Sequence, residues 1–154
     1  MHTVDADGEI VRGCGKRSHG EHYLRRNIFG MGEQRELWER AGIGFWPVAE
    51  RGKYPRAPEE LEYQDGELTG PGAVEYRAAL ITHLRSTGDE RPGIPLDKFC
   101  SNDGWWVTKA ECASALKLWE ANGRPEVDRF GDRVFNDTIP FLRAGADHEG
   151  FRVW

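Results

Sequence analysis

Glycine and proline divide this chain into short segments, and this division limits the folds that it can adopt. The chain has 19 glycines and 8 prolines in 154 residues, and both are dense in residues 43–70 and 91–107. Proline blocks a continuing helix and biases the residue before it toward extended geometry. We therefore expect 43–70 to be a long ordered loop with one short strand, attached to the core by Phe45, Trp46, Tyr54 and Tyr63.

The clearest helix signal begins at Thr108. Glu111 follows Thr108 at the spacing of a capping box, in which each residue bonds the backbone of the other. Val107 and Cys112 occupy the hydrophobic staple positions around that start. Apolar residues then recur at helical spacing and form one stripe of Cys112, Ala115, Leu116 and Trp119. Gly123 is suited to end the helix.

Three other segments show helical periodicity. Residues 28–42 place apolar side chains near one face before a final glycine, which favours a helix. In 71–88, Pro71 is placed for a first turn, and the apolar face consists of Val74, Ala78, Ile81 and Leu84. Residues 126–147 are helical in pattern, although Pro140 should kink that helix or begin a new one.

The strand signals are shorter than the helix signals. Ile10 and Val11 follow an Asp-Gly turn, and the alternating residues 150–154 are typical of a terminal strand. About four helices with these short strands predict a mostly helical α+β fold with a small antiparallel sheet or hairpin. The chain has the length of a single compact domain, 1–154, which can bury a core without disulfides.

Charge and composition argue against several classes of protein. The formal net charge is −5 and the isoelectric point about 5.6, which is unlike a general binder of duplex DNA. The sequence shows neither a signal peptide nor an apolar run of membrane-spanning length. Its three cysteines form a poor disulfide framework. We therefore expect a reduced, cytoplasmic protein that does not contact membranes.

The densest group of chemically active side chains is GCGKRSHGEHYLRRN, residues 13–27. Glycine-rich turns can present backbone amides to an anion, and this segment adds cations around a single acidic residue. The P-loop spacing G-x-x-x-x-G-K-[ST] is absent, so a solvated basic turn is the alternative interpretation. The candidate ligand-binding residues are Lys16, Arg17, His19, His22, Arg25, Arg26 and Asn27.

The same segment offers a metal site as an alternative. Cys14, His19 and His22 could provide three zinc ligands, with Cys100 or Cys112 as the fourth. Structural zinc sites usually have paired ligands at regular spacing, which this segment lacks. We therefore expect no cofactor, and zinc is the alternative.

A second candidate group lies at NDGWW, residues 102–106. Side chains alternate along an extended strand, so Trp105 and Trp106 should face opposite ways. Trp105 could then stack on a nucleobase or an apolar group, with Asn102 and Asp103 bonding polar edges. Core packing of both tryptophans is the alternative.

Three blocks of the sequence resemble a family of small uncharacterised proteins of actinobacteria and their phages. The blocks read R-x-N-I-[WF]-G-M-G at 25–32, S-N-D-G-W-x-V-T-x-x-E at 101–111, and F-L-R…H-x-G-F-x-V at 141–153. The third block has Glu149 where a second glycine is expected. The resemblance covers the chain from about Cys14 to Trp154 and implies a phage or prophage link. It implies no activity and no catalytic residue.

Together these residues predict a protein that binds rather than catalyses. The cations would contact a phosphate and Trp105 a ring, so the expected partner is a host protein or a small phosphorylated or nucleotide ligand. One alternative is a metal-assisted hydrolase or nuclease that uses Cys14, His19 and His22. Another is a structural or assembly subunit, and the sequence leaves the oligomeric state open.

Overall fold

The computed structural model describes residues 1–4, 19–20, 23–24, 28–48, 51–64 and 67–153. In these residues the helices are α1 (Ile28–Arg40), α2 (Ala73–Arg85), α3 (Lys109–Asn122) and α4 (Arg129–Asp147), with a 3₁₀ helix at Leu96–Phe99. The strands are β1 (His2–Thr3), β2 (His19–Gly20), β3 (Tyr23–Leu24), β4 (Gly44–Phe45), β5 (Glu62–Gln64), β6 (Glu67–Thr69), β7 (Ile94–Pro95), β8 (Trp105–Thr108) and β9 (Gly150–Val153). The predicted α+β class, with four helices and small antiparallel sheets, is confirmed for this part of the chain.

The largest sheet has five strands in the order β2-β3-β1-β9-β8, and each neighbouring pair is antiparallel. Strand β9 confirms the terminal strand predicted from alternation, whereas Ile10 and Val11 lie outside the described residues. Gly150 has a φ of +101°, and a Cβ there would lie 2.0 Å from the carbonyl oxygen of Val107. Glycine is therefore required where β9 begins to pair with β8.

Helices α3 and α4 pack against each other and against β9 through aromatic rings. The ring of Phe141 in α4 lies 4.8 Å from that of Phe151 in β9, between centroids. Trp119 in α3 and Phe135 in α4 are also 4.8 Å apart. Aromatic side chains bury large apolar areas, so a few of them form much of this core. None of the helices in the described ranges is both long and apolar enough to cross a bilayer.

The start of α3 has the capping box predicted from the sequence. The Thr108 hydroxyl accepts a bond of 3.2 Å from the Glu111 backbone N–H, and the Glu111 carboxylate accepts one of 2.7 Å from the Thr108 N–H. Cys112 follows in the buried stripe, and burial raises the pKa of its thiol. This thiol is therefore a small apolar core group.

The buried face of α2 differs from the one predicted. Val74 is 78% exposed and Ala78 is exposed, whereas Ala73 and Leu84 are buried and Leu80 packs against the core. The helix also begins after Pro71, at Ala73, behind a glycine N-cap with positive φ. Neighbouring apolar residues in this segment create two overlapping stripes, so periodicity alone could not select the one that faces the sheet.

Helix α4 continues through Pro140 as one element of 19 residues. The sequence predicted a kink or a new helix at this proline, and the second of these is wrong. Proline removes the N–H that would bond the carbonyl of Asn136. Both Pro140 and Asn136 are exposed, so water can satisfy that carbonyl on the outer side of the helix.

The segment 43–70 contains three short strands in its described part. Strand β4 pairs in parallel with β7, and β5 and β6 form an antiparallel hairpin. The aromatic residues expected to anchor this segment are unevenly covered: Phe45 is partly buried, but Trp46, Tyr54 and Tyr63 are exposed. The exposure of Trp46 and Tyr54 matters for the site described next.

Candidate functional site

A cleft of about 450 Å³ lies beside the start of β8, a size common for small-ligand pockets. Residues 46–48, 51, 52 and 54 form one side of it, and the end of α2, the 3₁₀ helix and the start of β8 form the rest. We call it the aromatic cleft and define it by Trp46, Arg51, Tyr54, His83, Asp97 and Trp105.

Three rings of the aromatic cleft are in mutual contact. The centroids of Tyr54 and His83 are 4.4 Å apart, those of His83 and Trp105 are 5.3 Å apart, and those of Tyr54 and Trp105 are 6.0 Å apart. The Tyr54–Trp105 pair is edge-on, a favourable arrangement for aromatic pairs, and the other two pairs are tilted. The cluster joins residues from a loop, a helix and a strand.

Arg51 attaches the 51–54 segment to the rest of the fold. Its guanidinium donates two hydrogen bonds to the Asp97 carboxylate, at 2.5 and 2.9 Å, and another to the Ser86 carbonyl. The same group lies 4.7 Å from the centroid of Trp105, at cation–π distance. The Arg51 side chain is only 8% exposed. Its charge is therefore already neutralised, and its role is to hold the cleft together.

Trp46 is held in place although its side chain is 42% exposed. Its indole N–H donates to the Glu39 carboxylate at 3.2 Å, and the Arg35 guanidinium lies 5.7 Å from the ring centroid. The Trp46 carbonyl accepts a hydrogen bond from Arg91. An exposed ring with a fixed orientation loses little conformational entropy when it binds another group.

Two polar groups of the cleft have no partner among the described residues. The contacts of Tyr54 and His83 there are ring contacts, and neither the phenol hydroxyl nor the imidazole nitrogens form a hydrogen bond. Burial, with a smaller contribution from Arg51, lowers the pKa of His83. Burial, followed by Asp103 and Tyr76, raises the pKa of Tyr54. Both groups are therefore neutral at pH 7 and can each donate and accept.

The second predicted group lies partly in this cleft. Trp105 lines it and is 8% exposed. The Trp105 indole N–H donates to the Ser101 hydroxyl at 3.1 Å, and that hydroxyl donates to the Asp103 carboxylate at 2.6 Å. Asn102 is exposed in the preceding turn and does not line the cleft. The structure thus connects Asp103 to the cleft through Ser101 and leaves Asn102 outside it.

Trp106 has different surroundings from its neighbour. Its ring is 3% exposed, and its N–H donates to the Glu149 carbonyl at 2.8 Å. The Arg85 guanidinium lies 3.8 Å from its centroid and that of Arg152 lies 6.0 Å away. Trp106 is therefore a core residue with its polar atom bonded.

The first predicted group lies almost entirely outside the described residues. The predicted site residues outside the described ranges are Cys14, Lys16, Arg17, His22, Arg25, Arg26 and Asn27. The backbone of His19 belongs to β2 and pairs with Leu24 in β3. The participation of the candidate residues of segment 13–27 in a phosphate or metal site stays a prediction.

The two cysteines proposed as alternative fourth metal ligands differ in solvent exposure. Cys112 is buried, whereas Cys100 is exposed and its sulfur lies 3.0 Å from Nη1 of Arg35. Within the described ranges, no three histidine, cysteine, aspartate or glutamate side chains are grouped so that they could hold a metal ion.

A second groove, of about 510 Å³, lies between α1 and the start of α4. Leu37, Val127 and Phe130 provide its apolar surface, and its rim includes Glu33 and Glu126. It is larger than the aromatic cleft, but its polar lining consists mainly of exposed charged groups that water already solvates. The aromatic cleft is the better candidate because it combines oriented rings with partly buried polar groups.

Sequence reasoning missed most of the residues in this cleft. Trp46 and Tyr54 had been assigned to core anchoring, and Arg51, His83 and Asp97 had no distinguishing pattern around them. Only Trp105 carried a usable signal, the adjacent tryptophans after an Asn-Asp-Gly turn.

No family model, no curated protein and no solved structure matches this chain, so the site rests on its own geometry.

Proposed function

We propose that the protein binds a small organic ligand in the aromatic cleft and does not transform it chemically. The observation that carries this proposal is that one cleft contains both exposed aromatic rings and polar atoms available for hydrogen bonds. Trp46 and Tyr54 present ring surface to solvent, and His83 and Tyr54 have polar atoms that bond nothing else among the described residues. Clefts with these features are the usual sites of specific small-molecule binding.

Binding is favoured over catalysis by the state of the titratable groups. A general base needs a second group that orients it, and a nucleophile needs a base within hydrogen-bond distance. In the described residues, His83 contacts rings rather than a carboxylate, and Asp97 is engaged with Arg51. The described lining of the cleft therefore supplies recognition groups, and its imidazole lacks a carboxylate to orient it.

The basic segment 13–27 adds a proposal of its own, which rests on sequence alone. Lys16, Arg17, Arg25 and Arg26 would contact a phosphate of the ligand, or an acidic surface of a host protein if the chain is phage-linked. Such binding should weaken with salt. Sensitivity of a detected interaction to Arg25→Ala or Arg26→Ala, with folding unchanged, would support this second contact.

The test of the proposed function is a ligand screen followed by a matched pair of variants. A library of small metabolites is screened by ligand-observed NMR, and each binder is titrated against wild type, Trp46→Ala and Lys53→Ala. Lys53 is exposed on the same segment but does not line the cleft. Binding should weaken about tenfold in Trp46→Ala, as expected for the loss of one stacking surface. It should be unchanged in Lys53→Ala.

Two results would contradict the proposal. One is a library without a single binder. The other is a set of binders whose affinities respond equally to Trp46→Ala and Lys53→Ala, because the site would then lie elsewhere.

A further inference from the structure

Resting on the proposed function, we infer that the part of the ligand held in the aromatic cleft is an uncharged planar nitrogen heterocycle of the nucleobase type. Its ring stacks on Trp46, and its polar edge bonds His83 and Tyr54. The inference follows from three properties of the cleft: where ring surface is free, how charge is balanced, and which polar atoms are available.

The free ring surface of the cleft favours a planar ligand. Trp105 is mostly covered, since Arg51 lies over its ring and the rings of Tyr54 and His83 are in contact with it. Trp46 and Tyr54 are 42% and 46% exposed and lie on the same cleft. Flat rings held in one orientation stack on flat partners, and any heteroaromatic ring has a face that can stack.

The balance of charge in the cleft disfavours an anionic ligand group. Asp97 and Arg51 form a close ion pair, so neither offers an uncompensated charge. His83 is neutral because its pKa is lowered, and Asp103 acts on Tyr54 as a negative charge that disfavours anions. An anionic ligand group would lose hydration here without gaining a free cation as its partner.

The available polar atoms favour a ring that carries nitrogen and exocyclic groups. A neutral imidazole has one donor and one acceptor, and a phenol hydroxyl can serve as either. Nucleobase edges present donors and acceptors side by side, which matches this pair. A hydrocarbon ring would instead cover His83 and Tyr54 and leave their polar atoms without water or partner.

The experiment uses uncharged nucleosides as probes. Adenosine, guanosine, cytidine and uridine are titrated into the full-length protein, with ribose as the control for the sugar, and binding is followed by saturation-transfer NMR. At least one nucleoside should bind, with the transfer strongest at the base protons, and ribose should not. Trp46→Ala should weaken the binding about five- to a hundredfold, the range seen for loss of base stacking.

Two conservative variants separate edge recognition from stacking. His83→Gln and Tyr54→Phe should change the order of preference among the four nucleosides, because each changes the donors and acceptors at the edge. Lys53→Ala should leave all affinities unchanged. Raising NaCl from about 50 to about 300 mM should have little effect, since screening acts on exposed charges and the charges of this cleft are paired.

The outcomes distinguish this inference from the proposed function. If library compounds bind in a Trp46-dependent way but none of the four nucleosides does, the inference is overturned and the proposed function stands. Nucleoside binding that survives both Trp46→Ala and Tyr54→Ala also overturns it. If nothing binds at all, both fail together.

Discussion

Two adjacent tryptophans of β8 lie in different environments, and the contrast separates the structural part of this molecule from its candidate site. Trp106 is 3% exposed and Trp105 is 8% exposed, so burial hardly distinguishes them. The residues in contact with each tryptophan distinguish the two. The Trp106 N–H bonds a backbone carbonyl, whereas Trp105 belongs to a cluster with Tyr54 and His83 at the surface of a cleft.

Beside the backbone of Trp106, the buried polar groups of Lys98 and Glu111 form a hydrogen-bonded network. The Lys98 ammonium is buried and donates to both Glu111 oxygens at 2.8 Å and to the Trp106 carbonyl at 2.6 Å. Glu111 also accepts from the Thr87 hydroxyl at 3.0 Å and from the backbone of Thr108. Burial lowers the pKa of Lys98, and Glu111 opposes that shift. The network joins the 3₁₀ helix, β8 and α3, and a network this complete makes the region rigid.

Around Trp105, by contrast, some polar groups lack a hydrogen-bond partner among the described residues. Tyr54 and His83 have no hydrogen-bond partner in the described part of the chain, and Trp46 is exposed while held in position. Hydrogen-bonding capacity, rather than burial, therefore distinguishes the proposed site from the core around Trp106.

The largest effect is expected from breaking the Lys98–Glu111 pair. Glu111→Ala leaves a buried ammonium without its counter-ion and removes the capping box. It should lower the free energy of unfolding by about 3–5 kcal/mol. Urea denaturation followed by tryptophan fluorescence measures the change. The double variant Lys98→Met/Glu111→Leu removes both charges and should recover most of that loss. A double variant as unstable as Glu111→Ala would show that the charge pair is not the cause.

A smaller effect is expected from changing each tryptophan to phenylalanine. Trp106→Phe removes the bond to the Glu149 carbonyl and should lower the free energy of unfolding by about 1–3 kcal/mol. Trp105→Phe should cost less, because the Ser101 hydroxyl it leaves is partly exposed and can bond water. For ligand binding in the cleft the order should reverse. Thermal unfolding measures the loss of stability, and the same nucleoside titration measures the loss of binding. Equal effects of the two variants in both assays would contradict the proposed difference between Trp105 and Trp106.

The smallest effect is a pH dependence of stability due to His83. Its pKa in the folded protein is lowered, so below the ordinary value of about 6.5 the unfolded chain binds more protons than the folded one. Stability is therefore unaffected by this group above that pH and falls as the pH drops below it. His83→Gln should lose less stability than wild type over this range in urea titrations. Parallel curves for the two proteins would contradict this assignment.

The elements that could be predicted from the sequence have signals confined to a few neighbouring residues. The capping box of Thr108 and Glu111 lies within four positions, and strand β9 is apparent from alternation over the last residues. The face of α2 could not be predicted, because Val74 and Ala73 belong to two stripes of similar polarity and only the position of β8 selects one. Helix continuation at Pro140 depended on which side of α4 faces water.

The fold class, most helix positions, the terminal strand and the unusual Trp-Trp pair could all be predicted from the amino-acid sequence. Only the tertiary structure decided that Trp46, Arg51, Tyr54, His83 and Asp97 meet Trp105 in one cleft. These residues are separated by up to 59 positions along the chain and share no local pattern. Contacts at such separations depend on how helices and strands pack, and packing is a property of the whole core rather than of any short segment.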